Sequence, residues 1–253
     1  MRILLSNDDG IQAPGLQSLI KIARALSDDV WVVAPETNHS GAGHSLTLRR
    51  PLRLREVAHQ TYAVDGTPTD SVLVAMQHVL RDKPVDLMLS GVNHGGNLAE
   101  DISYSGTVSA AKEAAQFGVR AIAMSQVNDF KSPVKWGTAE AHGVKLVERL
   151  LAADWASSVL MNVNFPDVSA DQVTGLQVTT QGQRAPVEQL DERRDPFGYP
   201  YYWIGVLRAD GERAPGSDLR AVRDGAVSIT PIKLDLTAHE LLPALATSLA
   251  EPA

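Results

Sequence analysis

The chain has 253 residues, of which 44% are apolar and 21% charged, and its formal net charge at pH 7 is −7. This is the composition of an ordinary globular protein large enough to bury a sizeable core, which excludes a disordered or fibrous chain. The acidic balance gives no global basic footprint for stable binding to DNA or RNA, and the absence of cysteine excludes disulfides, thiolate catalysis and Cys-ligated zinc.

Met1 to Leu5 reads as a strand rather than as the charged-then-apolar layout of a signal peptide. No apolar run reaches membrane-spanning length, so a cytoplasmic location without membrane contact is expected. The apolar run Ile3-Leu4-Leu5 gives way to Ser6-Asn7-Asp8-Asp9-Gly10, and behind Pro14 the residues Leu16, Leu19, Ile20, Ala23 and Leu26 recur at helical spacing. Val30 to Val33 is the next strand, which completes a βαβ unit. A helix presenting Val72, Leu73, Met76, Val79 and Leu80 on one face precedes a strand at Val85 to Leu89. A helix from about Thr107 to Phe117 is stopped by Gly118, and the strand Ala121 to Met124 follows. The last pair of this series is a helix from Ala139 to Leu151 and a strand from Val159 to Val163. The alternation predicts an α/β fold, a Rossmann-like, mostly parallel sheet flanked by helices, in a single domain over residues 1–253.

Helical periodicity vanishes over residues 175–225, where Tyr199, Tyr201, Tyr202 and Trp203 stand among Pro, Gly and charged residues. This stretch is expected to form a projecting β-hairpin arm that packs on a second subunit, because exposed aromatic surface is otherwise a liability. A strand at Ala226 to Pro231 and a terminal helix after Thr237 close the chain.

Three predicted strand ends deliver small polar or acidic residues. Asp8 and Asp9 follow the first, Asn38-His39-Ser40-Gly41 the second, and Ser90-Gly91-Val92-Asn93 the run Val85 to Leu89. In a parallel sheet these ends share one edge, where open α/β sheets bind ligands. Asp8, Asp9, Ser40 and Asn93 could then surround one ion with oxygen ligands, which suits Mg²⁺ or Mn²⁺ rather than zinc. Taken singly, each of these residues equally suits an Asx-turn or a helix cap. Gly95-Gly96-Asn97 and Tyr104-Ser105-Gly106-Thr107, ahead of an Ala-rich helix, combine hydroxyls with free backbone N–H groups and would fit a phosphate; a plain N-cap by Ser105 or Thr107 is the other reading. Thr67-Pro68-Thr69-Asp70 reads as a helix cap, and His39 and His44 are candidate general acids for a leaving group. There is no Gly-x-Gly-x-x-Gly after the first strand, no Walker loop and no Gly-x-Ser-x-Gly elbow.

These words, in this order, resemble the SurE family, the stationary-phase survival proteins that act as metal-dependent 5′/3′-nucleotidases. The match runs through Ser6 to Gly10, Asn38 to Gly41, Gly66 to Asp70, Ser90 to Asn97, Tyr104 to Val108, Ile229-Thr230-Pro231 and Leu234 to Thr237. The resemblance implies that Asp8, Asp9, Ser40 and Asn93 are the metal ligands, with one divalent cation per subunit. It places Ser105, Gly106 and Thr107 at the phosphate, and implies a C-terminal arm exchanged between protomers of a homodimer or homotetramer. His39 beside Ser40 and Ser71 after Asp70 depart from the family's commoner residues.

The expected activity is therefore hydrolysis of nucleoside 5′- and 3′-monophosphates, with short-chain polyphosphate as a further substrate class. Asp8 or Asp9 would orient or deprotonate the attacking water, or serve as a nucleophile. Two rivals stand beside this reading. A metal-dependent deacetylase would carry His-Pro-Asp-Asp where this chain has Ser6-Asn7-Asp8-Asp9, and a nucleotide-binding regulatory module would bind without turnover.

Overall fold

The computed structural model describes residues 1–184, 190–204 and 214–250. Parts of the expected arm, 185–189 and 205–213, lie outside the described residues. Strand β1 (Arg2–Ser6), helix α1 (Pro14–Leu26) and strand β2 (Asp29–Pro35) form the expected βαβ unit. They are followed by the hairpin β3 (Leu54–Ala58) and β4 (Thr61–Val64), then α2 (Pro68–Val74), which runs on through a π turn at Ala75–Val79. Next come β5 (Leu87–His94), the single turn α3 (Asp101–Tyr104), α4 (Gly106–Gln116), β6 (Arg120–Gln126), α5 (Trp136–Ala152) and β7 (Val159–Phe165). The rest comprises β8 (Gly175–Val178), β9 (Leu190–Arg194), β10 (Pro200–Ile204), α6 (Asp218–Arg223), β11 (Ala226–Lys233) and α7 (Leu242–Leu249).

Among the described residues one nine-stranded sheet has the order β3-β4-β2-β1-β5-β6-β7-β11-β8. Strands β4, β2, β1, β5, β6 and β7 pair in parallel; β3 and β11 run antiparallel to β4 and β7. The strands of the centre are buried on both faces and alternate between two cores. Ile3 and Leu5 pack with Leu16, Leu19 and Ile22 of α1 and Val147 of α5. Leu4 faces the other way, with Val72 of α2 and Ala110, Ala111 and Ala114 of α4. The period of two in the strands thus feeds helices on both sides of the sheet.

The chain leaves β1 toward β2 and β4 and returns to β5 on the opposite side of β1. That reversal is a topological switch point, and the crevice outside the carboxyl ends of β1 and β5 is where such sheets bind ligands.

Three differences from the sequence reading stand out. The hairpin β3–β4 carries weak signals, since β3 is almost wholly exposed and has no apolar alternation. Strand β5 begins at Leu87 and runs to His94, beyond the expected end at Leu89, because a register shift between Ser90 and Asn93 carries pairing past Gly91. Residues 175–225 are not uniformly hairpin. Strand β8 joins the main sheet beside β11, and α6 forms on a Ser217 cap whose hydroxyl accepts the Arg220 amide; six residues are too short to register as periodicity. Among the described residues only β9 and β10 form a separate two-stranded hairpin, with every residue exposed.

Candidate active site

The turn after β1 is rigid. The Asn7 side chain donates to the Gly10 carbonyl (2.9 Å) and accepts the Gly10 amide (3.3 Å), and Gly10 takes φ of 102°, which L side chains rarely adopt. This Asx-type lock leaves Asp8 and Asp9 at its apex, pointing out of the strand end. Asp8 is 4% exposed, and the hydroxyl of Thr107, at the start of α4, donates to its Oδ1. Asp9 is half-buried, and its Oδ2 accepts the backbone amide of His94 at 2.9 Å.

The other strand ends are tied to this turn. The amide of His39 donates to the Asp8 carbonyl (2.7 Å), which sets Ser40 beside the pair. The Ser40 amide donates to Asn38 Oδ1 (2.7 Å), leaving the Ser40 side chain exposed. Asn93 precedes the residue that holds Asp9, and its Nδ2 donates to the Gly95 carbonyl (2.9 Å). Among the described residues Asp9 Oδ1, Ser40 Oγ and Asn93 Oδ1 accept no hydrogen bond. The four residues expected at a metal therefore converge on one edge of the sheet.

Burial dominates their electrostatics. It pushes Asp8 up from 3.8 to about 6, against the Thr107 hydrogen bond and with a further push from the Asp9 carboxylate. Asp9 is also raised, again by burial, against the His94 amide and ring. Among the described residues no Lys or Arg contributes to either acid, and the His94 ring acts on Asp9 and not on Asp8, so two adjacent carboxylates sit in a desolvated turn with little protein counter-charge. An all-oxygen donor set with two carboxylates fits a hard divalent cation.

Helix α4 closes the other wall. Ser105 Oγ accepts the Val108 amide (3.0 Å), so its side chain is the N-cap. Gly106 lies so close to Asp8 that a Cβ there would stand 2.6 Å from the Asp8 Cβ and 2.9 Å from Pro68 Cγ. Asn97 is clamped by residues the sequence reading did not single out. Its amide donates to Asn164 Oδ1 (2.8 Å), its Nδ2 to Ser125 Oγ (2.8 Å), and its carbonyl accepts Asn162 Nδ2 (2.8 Å). Asparagines alternating along a buried strand, as Asn162 and Asn164 do in β7, are the signal that could have found them. His44 Nε2 pairs with Glu113 of α4 at 2.8 Å, whereas His39 touches the acidic turn through its backbone. Thr67 and Asp70 form a capping box, and Asp70 Oδ1 also takes the Thr47 amide (3.0 Å).

The family profile described as "Survival protein SurE" matches residues 3–188. The chain is 56% identical to a protein named 5′-nucleotidase SurE from Paramagnetospirillum magneticum, covering 98% of this chain and 95% of the relative. The chain belongs to the SurE family. A second SurE relative, from Brucella canis and with the same name, is 52% identical, covering 98% of each chain. The crystal structure of a SurE protein from Aquifex aeolicus superposes with a TM-score of 0.86 at 38% identity, covering 98% of this chain and all of the other. The mostly parallel sheet flanked by helices is thus shared with that SurE structure.

One support of the candidate site escaped the sequence reading. Asp218 of α6, fully buried, accepts the amides of Ala99 (2.9 Å), Gly182 (2.9 Å) and Leu219 (2.7 Å), and burial raises its carboxyl. Arg184 donates to the Leu98 carbonyl (3.0 Å) and to Asp101 (2.9 Å). The chain beyond the first 180 residues therefore holds the loop that carries Asn97.

Proposed function

We propose that this chain is a divalent-metal-dependent phosphomonoesterase that hydrolyses nucleoside 5′-monophosphates, and also 3′-monophosphates and short-chain polyphosphate. The observation that carries the reading is the desolvated Asp8-Asp9 pair at the switch point, with the N-terminus of α4 against it. The names of the SurE relatives from P. magneticum and B. canis support a nucleotidase.

Asp8, Asp9, Ser40 and Asn93 would hold one Mg²⁺ or Mn²⁺ per subunit. Bound there, the ion supplies positive charge for a phosphate oxygen and lowers the pKa of a coordinated water. The remaining work belongs to the chain. The amides of Gly106 and Thr107, at the positive end of the α4 dipole, receive the substrate phosphate. Ser105 fixes that helix end and Asn97 completes the polar wall. The Thr107 hydroxyl orients Asp8, the His94 amide orients Asp9, and one of the two carboxylates takes the proton of the attacking water. Either His39 or His44 would protonate the leaving alkoxide, and His39 is the one not already paired with Glu113.

No helix among the described residues is long and apolar enough to cross a membrane. With the acidic composition this favours a cytoplasmic enzyme acting on small nucleotides. The β9–β10 hairpin is the surface through which we expect a homodimer or homotetramer.

The test is release of inorganic phosphate from a panel of 5′- and 3′-nucleotides with Mn²⁺ or Mg²⁺. Release that disappears with chelator and in Asp9→Asn supports the reading. Binding of nucleotide without release would replace it with a regulatory module.

A further inference from the structure

Helix α5 carries three basic side chains on one stripe. His142, Lys145 and Arg149 follow one another at steps of three and four residues, which lines them up over about 10 Å of helix axis. Cations at this spacing repel, and the acids nearby do not relieve them. Glu140 is taken by Ser18 (2.7 Å) and Lys21 (2.8 Å), and Glu148 forms no ion pair with Lys145 or Arg149 among the described residues. On the 3₁₀ turn Ala170–Gln172, which packs on α5, the Asp171 carboxyl is held below the usual carboxylate range by Ser169, with no contribution from these cations. Lys135 and Arg120, by contrast, each have a carboxylate partner, in Asp167 and Asp154. In a chain of net charge −7, a group of cations left without an acid is matched only by an anion from outside.

The stripe borders a cavity. About 140 Å³ of space lies between α5 and the segment entering β8, with Leu146, Val173 and Leu176 as its apolar lining and His142, Lys145 and Arg149 as its polar one. Leu146 is buried in the core and Val173 packs against that core, so the floor is fixed. His142 is fixed as well, because its Nε2 stands 2.9 Å from the Ala170 carbonyl, which can only accept. Lys145 and Arg149 are exposed, and their side chains make no hydrogen bond or ion pair among the described residues. The mouth stays open at Gly175, where nothing lies within 4 Å of a Cβ.

Size and donors together select the ligand. The space is well under the roughly 300 Å³ at which sites for drug-sized ligands begin, so it does not enclose a nucleotide, whereas a tetrahedral oxyanion with a few waters fits. An ammonium and a guanidinium offer donors only, the latter in a planar fork that matches phosphate oxygens. We propose that this cavity is a second anion site, which takes inorganic phosphate on Lys145 and Arg149. It uses none of Asp8, Asp9, Ser40, Asn93 or the α4 amides, so it stands apart from the nucleotidase reading and does not rest on it. Phosphate is also the product under that reading, which gives the site a ligand that turnover itself supplies.

The experiment follows the methyl NMR signals of Leu146 and Leu176 while inorganic phosphate is added to the chelator-treated protein, with chloride at equal ionic strength as the control. Saturable shifts at millimolar phosphate, absent with chloride, are expected. Lys145→Ala combined with Arg149→Ala should weaken this binding about tenfold or more, while leaving phosphate release from adenosine 5′-monophosphate unchanged. No saturable shift in wild type, or the same affinity in the double variant, would overturn the site. Shifts at those methyls at far lower concentrations of adenosine 5′-monophosphate than of phosphate would overturn the choice of a small anion. Wild type that releases no phosphate from the nucleotide counts against the nucleotidase reading alone, because the titration decides the anion site without turnover.

Discussion

Thr107 donates its hydroxyl to Oδ1 of Asp8, across 99 residues of sequence, and so fastens the first turn of α4 to the acidic turn after β1. The two halves of the proposed chemistry, carboxylates for a cation and helix amides for an anion, are thereby held as one unit. Their separation is set by Gly106, which stands between them without a side chain.

Gly106→Ala should therefore damage the site more than its size suggests. The new methyl would meet Asp8 Cβ at 2.6 Å, and helix and turn must part to admit it. We expect a stability loss of about 1–3 kcal/mol, as for overpacking a filled core, and at least a tenfold loss of phosphate release from misplaced groups. Gly137→Ala in α5 is the control, because nothing lies within 4 Å of a Cβ there. Urea unfolding and phosphate assays on both variants decide it; equal behaviour would refute the wedge.

Asp8→Asn should abolish activity yet stabilise the metal-free protein at neutral pH. The folded pKa of Asp8 is raised from 3.8 to about 6, so between those values the native state keeps a proton that the unfolded chain has lost. Stability of the metal-free wild type then falls as pH rises through that window, by at most about 3 kcal/mol from this group. Asparagine carries no charge to bury, so the variant should melt higher than wild type at pH 7.5 and converge with it near pH 4. Activity should fall on the order of 10²-fold or more, as when other preorganised electrostatic groups are removed. A variant less stable than wild type at both pH values would contradict the burial argument.

Divalent cation should reverse that ranking. Ions that bind only the native state stabilise it by about 4.1 kcal/mol at a thousandfold excess over Kd, more than the burial of the Asp8 charge costs. Wild type with Mn²⁺ should thus overtake Asp8→Asn in Tm, and chelator should restore the metal-free order. Because both carboxylates must be ionised to bind, and both are raised, cation affinity should climb with pH up to and beyond about 6. Calorimetric titration at pH 5 and pH 7.5 checks this, and affinity independent of pH would argue against Asp8 as a ligand.

The sequence made the centre of the fold legible because each buried strand is a short apolar run and each helix repeats its apolar face. Asp8, Asp9, Ser40 and Asn93 were legible for a related reason: small polar residues at the ends of such runs must land on one sheet edge. Asp218 was not, since it opens a six-residue helix and its partners, Ala99 and Gly182, are ordinary amides that leave no mark in a sequence. Nor was β3, an edge strand with hardly any buried face to pattern it.

Asp218→Ala should loosen the loop that bears Asn97. The substitution orphans the amides of Ala99, Gly182 and Leu219 in a buried setting. Each unmade bond of this kind costs about 1–3 kcal/mol before water enters. Hydrogen exchange at Ala99 and Gly182 should accelerate well before global unfolding, with KM for nucleotide rising more than kcat falls. Unchanged protection at both amides would show that the contacts of Gln181 and Arg184 hold the loop without Asp218.

The β9–β10 hairpin should be the handle of assembly. In its register Tyr202 stands opposite Glu192 and Ile204 opposite Leu190, while Tyr201 and Trp203 fall on the other face with Arg193 and Asp191. Both faces thus carry large apolar side chains, every one of them exposed in the single chain, and neither face can serve as the polar side of a two-layer packing. A lone two-stranded hairpin is marginal in water, so a second copy of the chain is the natural source of the missing layer. Light scattering should give two or four times the 27.2 kDa of one chain. Tyr202→Glu with Trp203→Glu should reduce it toward one, with the far-ultraviolet circular dichroism of the main sheet retained. A wild type already monomeric at micromolar concentration would leave the hairpin without its proposed role, because no described residue of its own chain covers those rings.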